Sequence, residues 1–221
     1  MRLFQNKKPG IFLAADFSTL EECMPIIEPI AHLIAGVKIG FKLLLDPDHG
    51  FNTITILKKR FNLPILVDSK IHDVGHIATA LCRRLKSLGA DGVTIWGYCG
   101  PSVIHECATV DEDLALVVLT ELTDPTARPF HDKLAQFVEA AVAFGAHAVQ
   151  APGTRPDAIR IARTISGPDF PIFSCGIGTQ GGSAREAVQA GADYVIIGRE
   201  IIDNPNPSKI TEELLQQIIQ K

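Results

Sequence analysis

The sequence lacks the features of several classes of protein. No apolar run reaches the roughly 18 residues that a membrane span needs, and residues 1–8 lack the apolar core of a signal peptide. No basic stripe with interleaved aromatics indicates a nucleic-acid partner. The five cysteines form neither a C-x-x-C pair nor a metal-ligand spacing. We therefore expect a cytoplasmic protein with reduced thiols, no metal site, and neither a membrane nor a nucleic acid as its partner.

What the chain does contain is an alternation of short apolar runs with helix-like segments. Nearly continuous apolar runs are typical of parallel strands that are buried on both faces. The eight predicted strands are residues 11–15, 37–39, 65–67, 92–95, 114–119, 148–151, 172–174 and 194–197. Between them, segments such as 133–144 and 155–165 repeat apolar residues at helical spacing.

One local pattern occurs three times, around Gly89, Gly145 and Gly191. In each case a helix-like segment ends, a glycine supplies the cap, and a buried strand begins. The eight strand-plus-helix units follow one another without a long linker and predict that residues 1–221 form a single (β/α)8 barrel domain. A doubly wound open sheet is the main alternative, but it usually carries a glycine-rich fingerprint after the first strand, where this chain has Asp16 and Phe17.

Charged residues cluster at the predicted strand ends, where a barrel of this kind places its catalytic groups. Asp16 ends the first strand, and Lys38 lies in the second. Asp68 and Lys70 follow the third, where we expect the strand to give way to a loop, and two residues of separation should place both side chains on one side. Buried charges must be paired to be tolerated, so these residues are our candidate catalytic centre.

The last two strand ends have the composition of a phosphate site. A glycine-rich loop, residues 176–182, follows the seventh strand, and Gly198 and Arg199 follow the eighth. Glycines let backbone N–H groups approach an anion, and arginine supplies a fixed fork for phosphate oxygens. The glycines could instead serve only as turns. Their pairing with Arg199 on the next strand favours phosphate binding, with Gly178 and Gly198 as further candidates.

The run Asp68-Ser69-Lys70-Ile71-His72-Asp73-Val74 resembles the D-x-K-x-x-D signature of the orotidine 5'-phosphate decarboxylases, especially their short, archaeal-type form. The likeness extends from about residue 11 to the final helix. It implies decarboxylation of orotidine 5'-monophosphate to uridine 5'-monophosphate without any cofactor. It further implies that Lys70 protonates a carbanion at C6 of the pyrimidine, beside Asp68 and Lys38.

The resemblance also assigns the substrate contacts. It implies that Asp16 holds the ribose, that Thr123 bonds the pyrimidine, and that Gln180 and Arg199 grip the phosphate. Asp73 is expected to reach the active site of a neighbouring subunit, which implies a homodimer with shared sites.

Three positions depart from the family pattern. Ile77 stands where the family usually has a threonine, Cys175 where it has a proline, and Trp96 where it often has a histidine. The alternative function is that of a metal-dependent decarboxylase or aldolase acting on keto-sugar phosphates, which shares the D-x-K-x-x-D motif. Those relatives typically carry an acid where this chain has Lys38, which favours the orotidylate reaction.

Overall fold

The computed structural model describes residues 1–5, 9–124 and 126–219 of the 221-residue chain. Residues 6–8, part of the segment in which the sequence predicts no signal peptide, lie outside the described residues. So do residue 125, which lies near the candidate Thr123, and residues 220 and 221.

In the described part of the chain, eight parallel strands close into a barrel in sequence order, with β8 paired to β1. The strands are β1 Gly10–Ala14, β2 Gly36–Ile39, β3 Ile65–Ile71, β4 Gly92–Trp96, β5 Ala115–Leu119, β6 Ala148–Pro152, β7 Ile172–Cys175 and β8 Tyr194–Ile197. Every predicted apolar run forms one of these strands. The predicted (β/α)8 barrel is therefore confirmed.

Helices cover the outside of the barrel. They are α1 Leu20–Ile30, α2 Phe41–Leu44, α3 Asn52–Phe61, α4 Gly75–Ser87, α5 Pro101–Ala108, α6 Leu134–Ala143, α7 Pro156–Ser166, α8 Ala184–Gln189, α9 Arg199–Ile202 and α10 Pro207–Ile219. Short 3-10 turns occur at Arg2–Phe4, Gly97–Cys99 and Arg128–Lys133. Among the described residues, none of these helices is long and apolar enough to cross a membrane.

The three repeated glycines end helices as the sequence predicts. Gly89, Gly145 and Gly191 follow α4, α6 and α8 with φ values of 106°, 82° and 116°. A side chain is disfavoured in this left-handed region, whereas glycine adopts it readily. Each glycine thus reverses the chain from a helix into the next strand.

The inside of the barrel is apolar in its lower part. The rings of Phe12, Phe173 and Tyr194 contact one another at centroid distances of 4.9 to 5.4 Å, and Leu3 joins the same buried cluster. Burying one such ring contributes about 1.5–3 kcal/mol. Lys38 and Asp68 lie further along β2 and β3, toward the carboxyl ends, so the apolar layer forms a floor beneath the polar groups.

Strand β3 differs from the sequence prediction, because it continues through Asp68 to Ile71 instead of giving way to a loop. Ser69 Oγ donates to the Thr94 carbonyl of β4 at 3.0 Å, and the Lys70 N–H donates to Thr94 Oγ1 at 2.9 Å. These bonds keep the segment attached to β4. The pairing shifts register between Val67 and Ile71, and Lys70 has a positive φ of 45°.

Candidate active site

Three charged side chains from β2 and β3 meet at the mouth of the barrel. Lys38 Nζ lies 2.9 Å from Asp68 Oδ2, and Lys70 Nζ lies 2.5 Å from the same oxygen. The side chains of Lys38 and Asp68 are buried, whereas that of Lys70 is 41% exposed. One carboxylate thus holds two ammonium groups, and the Lys70 side chain is the more exposed of the two.

The charges of this cluster stabilise one another. Burial disfavours the ionised form of Asp68, but Lys38 and Lys70 outweigh it and lower the pKa of Asp68 to about 2. Burial likewise opposes protonation of Lys38, yet Asp68 and Asp16 outweigh it and raise the pKa of Lys38 above its usual value. Asp68 and Lys38 are therefore both charged at neutral pH.

Thr94 of β4 fixes the carboxylate from the opposite side. Its buried hydroxyl donates to Asp68 Oδ1 at 3.0 Å and accepts from the Lys70 N–H at 2.9 Å. The same hydroxyl therefore orients the acid and supports the left-handed backbone at Lys70. A backbone in this region is strained for a residue other than glycine and persists where its surroundings determine it.

Asp16 and Arg199 share a cleft with this cluster. Asp16 Oδ1 lies 3.8 Å from Lys38 Nζ. A cleft of about 120 Å³ is lined by Asp16, Lys38, Cys175, Gln180 and Arg199, among others. It runs from the charge cluster to the groups that the sequence assigns to phosphate. The structure thus brings the two predicted halves of the site together.

The glycine-rich loop that follows β7, residues 176–182, is held by its own hydrogen bonds. The Gly178 N–H donates to Gly182 O at 2.8 Å, the Gly182 N–H donates to Gly176 O at 3.0 Å, and the Gly181 N–H donates to Gly178 O at 2.6 Å. Gly176, Gly178 and Gly181 have positive φ. These glycines form turns, so the Gly178 amide is used inside the loop and the substrate role of Gly178 stays a prediction.

Thr123 and Gln180 meet beside this loop. A Cβ on Gly176 would lie 2.7 Å from Thr123 Cγ2 and 3.2 Å from Gln180 Oε1. Thr123 and Gln180 also line a second cleft, of about 650 Å³, together with Glu121 and Arg155. The two clefts meet at Gln180, so Thr123 lies beside the path from the charge cluster to Arg199.

Asp73 is placed differently from the other predicted catalytic residues. It is exposed, and its Oδ1 accepts the N–H of Val74 at 2.8 Å. It lines a separate cleft with Tyr98, Cys99 and Glu106. The sequence prediction that Asp73 serves a neighbouring subunit is compatible with this position outside the chain's own cleft.

One group of metal-ligating side chains lies together among the described residues. Ligand atoms of Glu21, Asp46 and His49 lie within 4.8 Å of one another. The Asp46 carboxylate accepts the N–H groups of Leu20, Asp48 and His49 at 2.8 to 3.1 Å, which accounts for its burial. None of the three lines the cleft between Lys38 and Arg199. A metal-free and cofactor-free reaction stays a prediction.

Sequence reasoning missed two residues of this region. Thr94 was visible as a lone threonine in an apolar strand, and it now contacts Asp68. Glu121 is an acid two residues after the end of β5, and its side chain is fully buried between His131 and Arg155. A threonine in a strand is too common to single out Thr94. The partners of Glu121 lie 10 and 34 residues away along the chain, so the sequence does not reveal them.

The comparison with known proteins agrees with this architecture. The profile of the Orotidine 5'-phosphate decarboxylase / HUMPS family matches residues 9–214. An orotidine 5'-phosphate decarboxylase of Pyrococcus furiosus is 31% identical over 94% of this chain and 97% of its own. One of Methanococcoides burtonii is 29% identical over 96% of this chain and 99% of its own. The chain belongs to the orotidine 5'-phosphate decarboxylase / HUMPS family.

Solved structures extend the likeness to the whole barrel. The crystal structure of orotidine 5'-phosphate decarboxylase from Pyrococcus horikoshii has a TM-score of 0.86 and 31% identity, and the match covers 96% of this chain and all of that one. The enzyme from Methanocaldococcus jannaschii, complexed with the inhibitor BMP, has a TM-score of 0.89 at 24% identity. The second match bears on the fold alone.

Proposed function

We propose that this protein decarboxylates orotidine 5'-monophosphate to uridine 5'-monophosphate and CO2, the last step of de novo pyrimidine nucleotide synthesis. The observation that carries the proposal is the pair of ammonium groups, Lys38 and Lys70, on one buried carboxylate, Asp68, at the head of a cleft that ends at Arg199. Family membership and relatives named for this reaction support it.

The reaction needs a fixed positive charge beside C6 of the pyrimidine. When the bond between C6 and the carboxylate breaks, CO2 leaves and the electron pair stays on C6. The Lys70 ammonium stabilises this carbanion and then transfers a proton from Nζ to C6. Because Asp68 and Thr94 already hold Lys70 in place, little reorganisation is needed during the reaction.

Asp68 contributes in two further ways. Its charge repels the substrate carboxylate more strongly in the ground state than after CO2 has formed, although preorganised electrostatics is the more general account of such rates. It also links Lys38 to Lys70, since both ammonium groups contact Oδ2. Lys38 is therefore proposed to act on Lys70 through Asp68.

The opposite end of the cleft is proposed to bind the phosphate through Arg199 and Gln180, with Gly198 and Gly178 alongside. Asp16 is proposed to hold the ribose and Thr123 the pyrimidine. Phosphate contacts lie far from the reacting carbon, so their binding energy can hold the 176–182 loop over the nucleotide and expel water.

We propose a homodimer in which Asp73 completes the partner's site. Near Asp73, the residues Val74 and Ile77 are 57% and 40% exposed, and Phe41 and Leu81 line one apolar groove. Contiguous exposed apolar side chains mark interaction surfaces. We also propose a single domain over residues 1–221 and a cytoplasmic location, to which the five free cysteines are suited.

The test is the loss of orotidylate absorbance with purified protein that has been treated with EDTA. We expect full activity in EDTA and release of one CO2 per uridine 5'-monophosphate. No turnover of orotidylate would reject the proposal. Turnover of keto-sugar phosphates that EDTA abolishes would instead establish the metal-dependent alternative.

A further inference from the structure

Glu121 is a buried acid that the proposed mechanism does not use. Its side chain is fully buried just after β5. Its Oε1 lies 2.6 Å from Arg155 Nη1 and 2.8 Å from His131 Nε2. Its other oxygen, Oε2, is buried and accepts no hydrogen bond from the described residues.

The Glu121 carboxylate weakens the fold at this position, because one of its buried oxygens accepts no hydrogen bond from the described residues. The effective penalty for burying an ion is several kcal/mol, and only full pairing offsets it. Burial raises the pKa of Glu121 even though Arg155 and His131 pull it in the opposite direction. Replacing a buried ion pair by apolar side chains of similar volume often leaves the stability of the fold unchanged or increases it. This indicates that Glu121 fixes the positions of neighbouring segments rather than stabilising the fold.

The three residues come from three separate parts of the barrel mouth. Glu121 begins the connection between β5 and α6, and His131 lies near the end of the same connection, in the turn Arg128–Lys133. Arg155 lies in the short connection after β6, directly before α7. A single carboxylate oxygen thus ties both ends of one long connection to the neighbouring β6–α7 connection.

These connections carry two threonines that contact the start of the 176–182 loop. A Cβ on Gly176 would lie 2.7 Å from Thr123 Cγ2 and 3.2 Å from Thr154 Cγ2. Thr123 is two residues from Glu121, and Thr154 is adjacent to Arg155. The ion pair between Glu121 and Arg155 thus joins the two connections that carry these threonines.

We propose that Glu121 is a positioning residue, which holds the β5 and β6 connections at a fixed separation. This separation places Thr123 at the edge of the bound pyrimidine and forms the seat on which the 176–182 loop closes. Arg155 and His131 are its partners in this role. The inference rests on the proposed function, because Thr123 is the group through which Glu121 affects the substrate.

A double-mutant cycle tests the coupling. Glu121→Gln keeps the shape of the side chain and removes its charge, and we expect kcat/KM for orotidylate to fall about 10- to 100-fold, the value of one charge-assisted hydrogen bond. In a Thr123→Ala background the same change should lower kcat/KM by less than about threefold, because Glu121 acts through Thr123. Equal losses in the two backgrounds would overturn the proposal.

Chemical rescue by guanidinium measures an effect on KM that a purely structural role of Arg155 would not produce. Arg155→Ala should raise KM, and added guanidinium should restore much of the loss. Arg163 of α7 is a matched control. It also forms an ion pair with a carboxylate, since its Nη2 lies 2.6 Å from Asp193 Oδ2, but it does not line either cleft. Arg163→Ala should lower the melting temperature without any guanidinium-dependent change in KM. The same rescue profile in both variants would contradict the inference.

The wild-type assay distinguishes failure of the proposed function from failure of the positioning role alone. A wild type that is inactive on orotidylate overturns the proposed function, and the positioning role with it. An active wild type with an additive cycle overturns the positioning role alone. If Glu121→Gln does not fold, His131→Asn and Arg155→Lys are put through the same cycle with Thr123→Ala, and non-additive losses are again the expected result.

Discussion

The two ends of the cleft are organised in opposite ways. The end proposed to hold the pyrimidine, called the base end, contains Lys38, Asp68 and Lys70. There both ammonium groups contact the Asp68 carboxylate, and the Thr94 hydroxyl donates a hydrogen bond to it. At the phosphate end, Arg199 is exposed and forms no ion pair within the described part of the chain. One end is complete before a ligand arrives, whereas the other leaves its charge available.

This difference matches the work proposed for each end. Stabilising a carbanion requires charges that are fixed in advance, since reorganisation during the reaction would consume the benefit. Gripping a phosphate requires a cation whose partner is the ligand itself, since an internal ion pair would have to be broken first. Variants that remove the charged groups of one end at a time test this difference.

The largest effect is expected at the base end. Lys70→Ala removes the group proposed as both the stabilising charge and the proton donor, and we expect kcat to fall by about 10⁴-fold. Lys58 is a matched control, because its Nζ lies 2.7 Å from Asp91 Oδ1 outside the cleft. Steady-state kinetics of Lys58→Ala should stay near those of the wild type. A similar loss in both variants would remove the special role of Lys70.

The next effect concerns the phosphate end. Arg199→Ala should lower kcat/KM for the nucleotide by about 10²- to 10³-fold, as expected for two charge-assisted hydrogen bonds. Reaction of the phosphate-free nucleoside should hardly change. Arg185 is an exposed arginine of α8 and serves as the control. Equal losses on nucleotide and nucleoside would show that Arg199 does not act through the phosphate.

The role of Asp73 can be separated from that of its neighbours by subunit mixing. Lys70→Ala and Asp73→Ala chains are each expected to be nearly inactive, but half of the dimers in an equal mixture contain both chains, and each has one intact site. We therefore expect about a quarter of the wild-type activity. A mixture of Lys70→Ala with Asp68→Ala should recover nothing, since both residues serve their own chain's site. Absence of recovery in verified Asp73→Ala heterodimers argues against sharing.

The smallest effect is on stability. Asp68 has a folded-state pKa of about 2 against an ordinary value of 3.8, so its ionisation stabilises the fold above pH 4, and this contribution is lost as the pH falls toward 2. The loss is on the order of 2 kcal/mol. Urea unfolding between pH 5 and pH 2 should show this dependence in the wild type but not in Asp68→Asn. Asp157→Asn, at an exposed position, should keep it. An unchanged dependence in Asp68→Asn would place the titration elsewhere.

Lys38 and the 176–182 loop show which features of the site the sequence can predict and which it cannot. Lys38 is a charge inside an apolar strand, and a closed barrel offers no exposed strand edge for such a side chain. In the structure it is buried at the mouth and contacts Asp68. The 176–182 loop was expected to offer free amides, but the Gly178 N–H bonds within the loop. Glycine content predicts a turn and an anion-binding loop equally well, and only the hydrogen bonds within the folded loop distinguish them.

The sequence by itself determined the barrel, the order of its strands and the identity of the charged cluster, because strand periodicity and the D-x-K-x-x-D spacing are local properties. Only the tertiary structure decided that β3 continues past Asp68, that Thr94 holds its carboxylate, and that Glu121 joins His131 to Arg155. These contacts link residues that are far apart in the chain. Their geometry depends on the register between neighbouring strands and on the closure of the barrel, which no local pattern specifies.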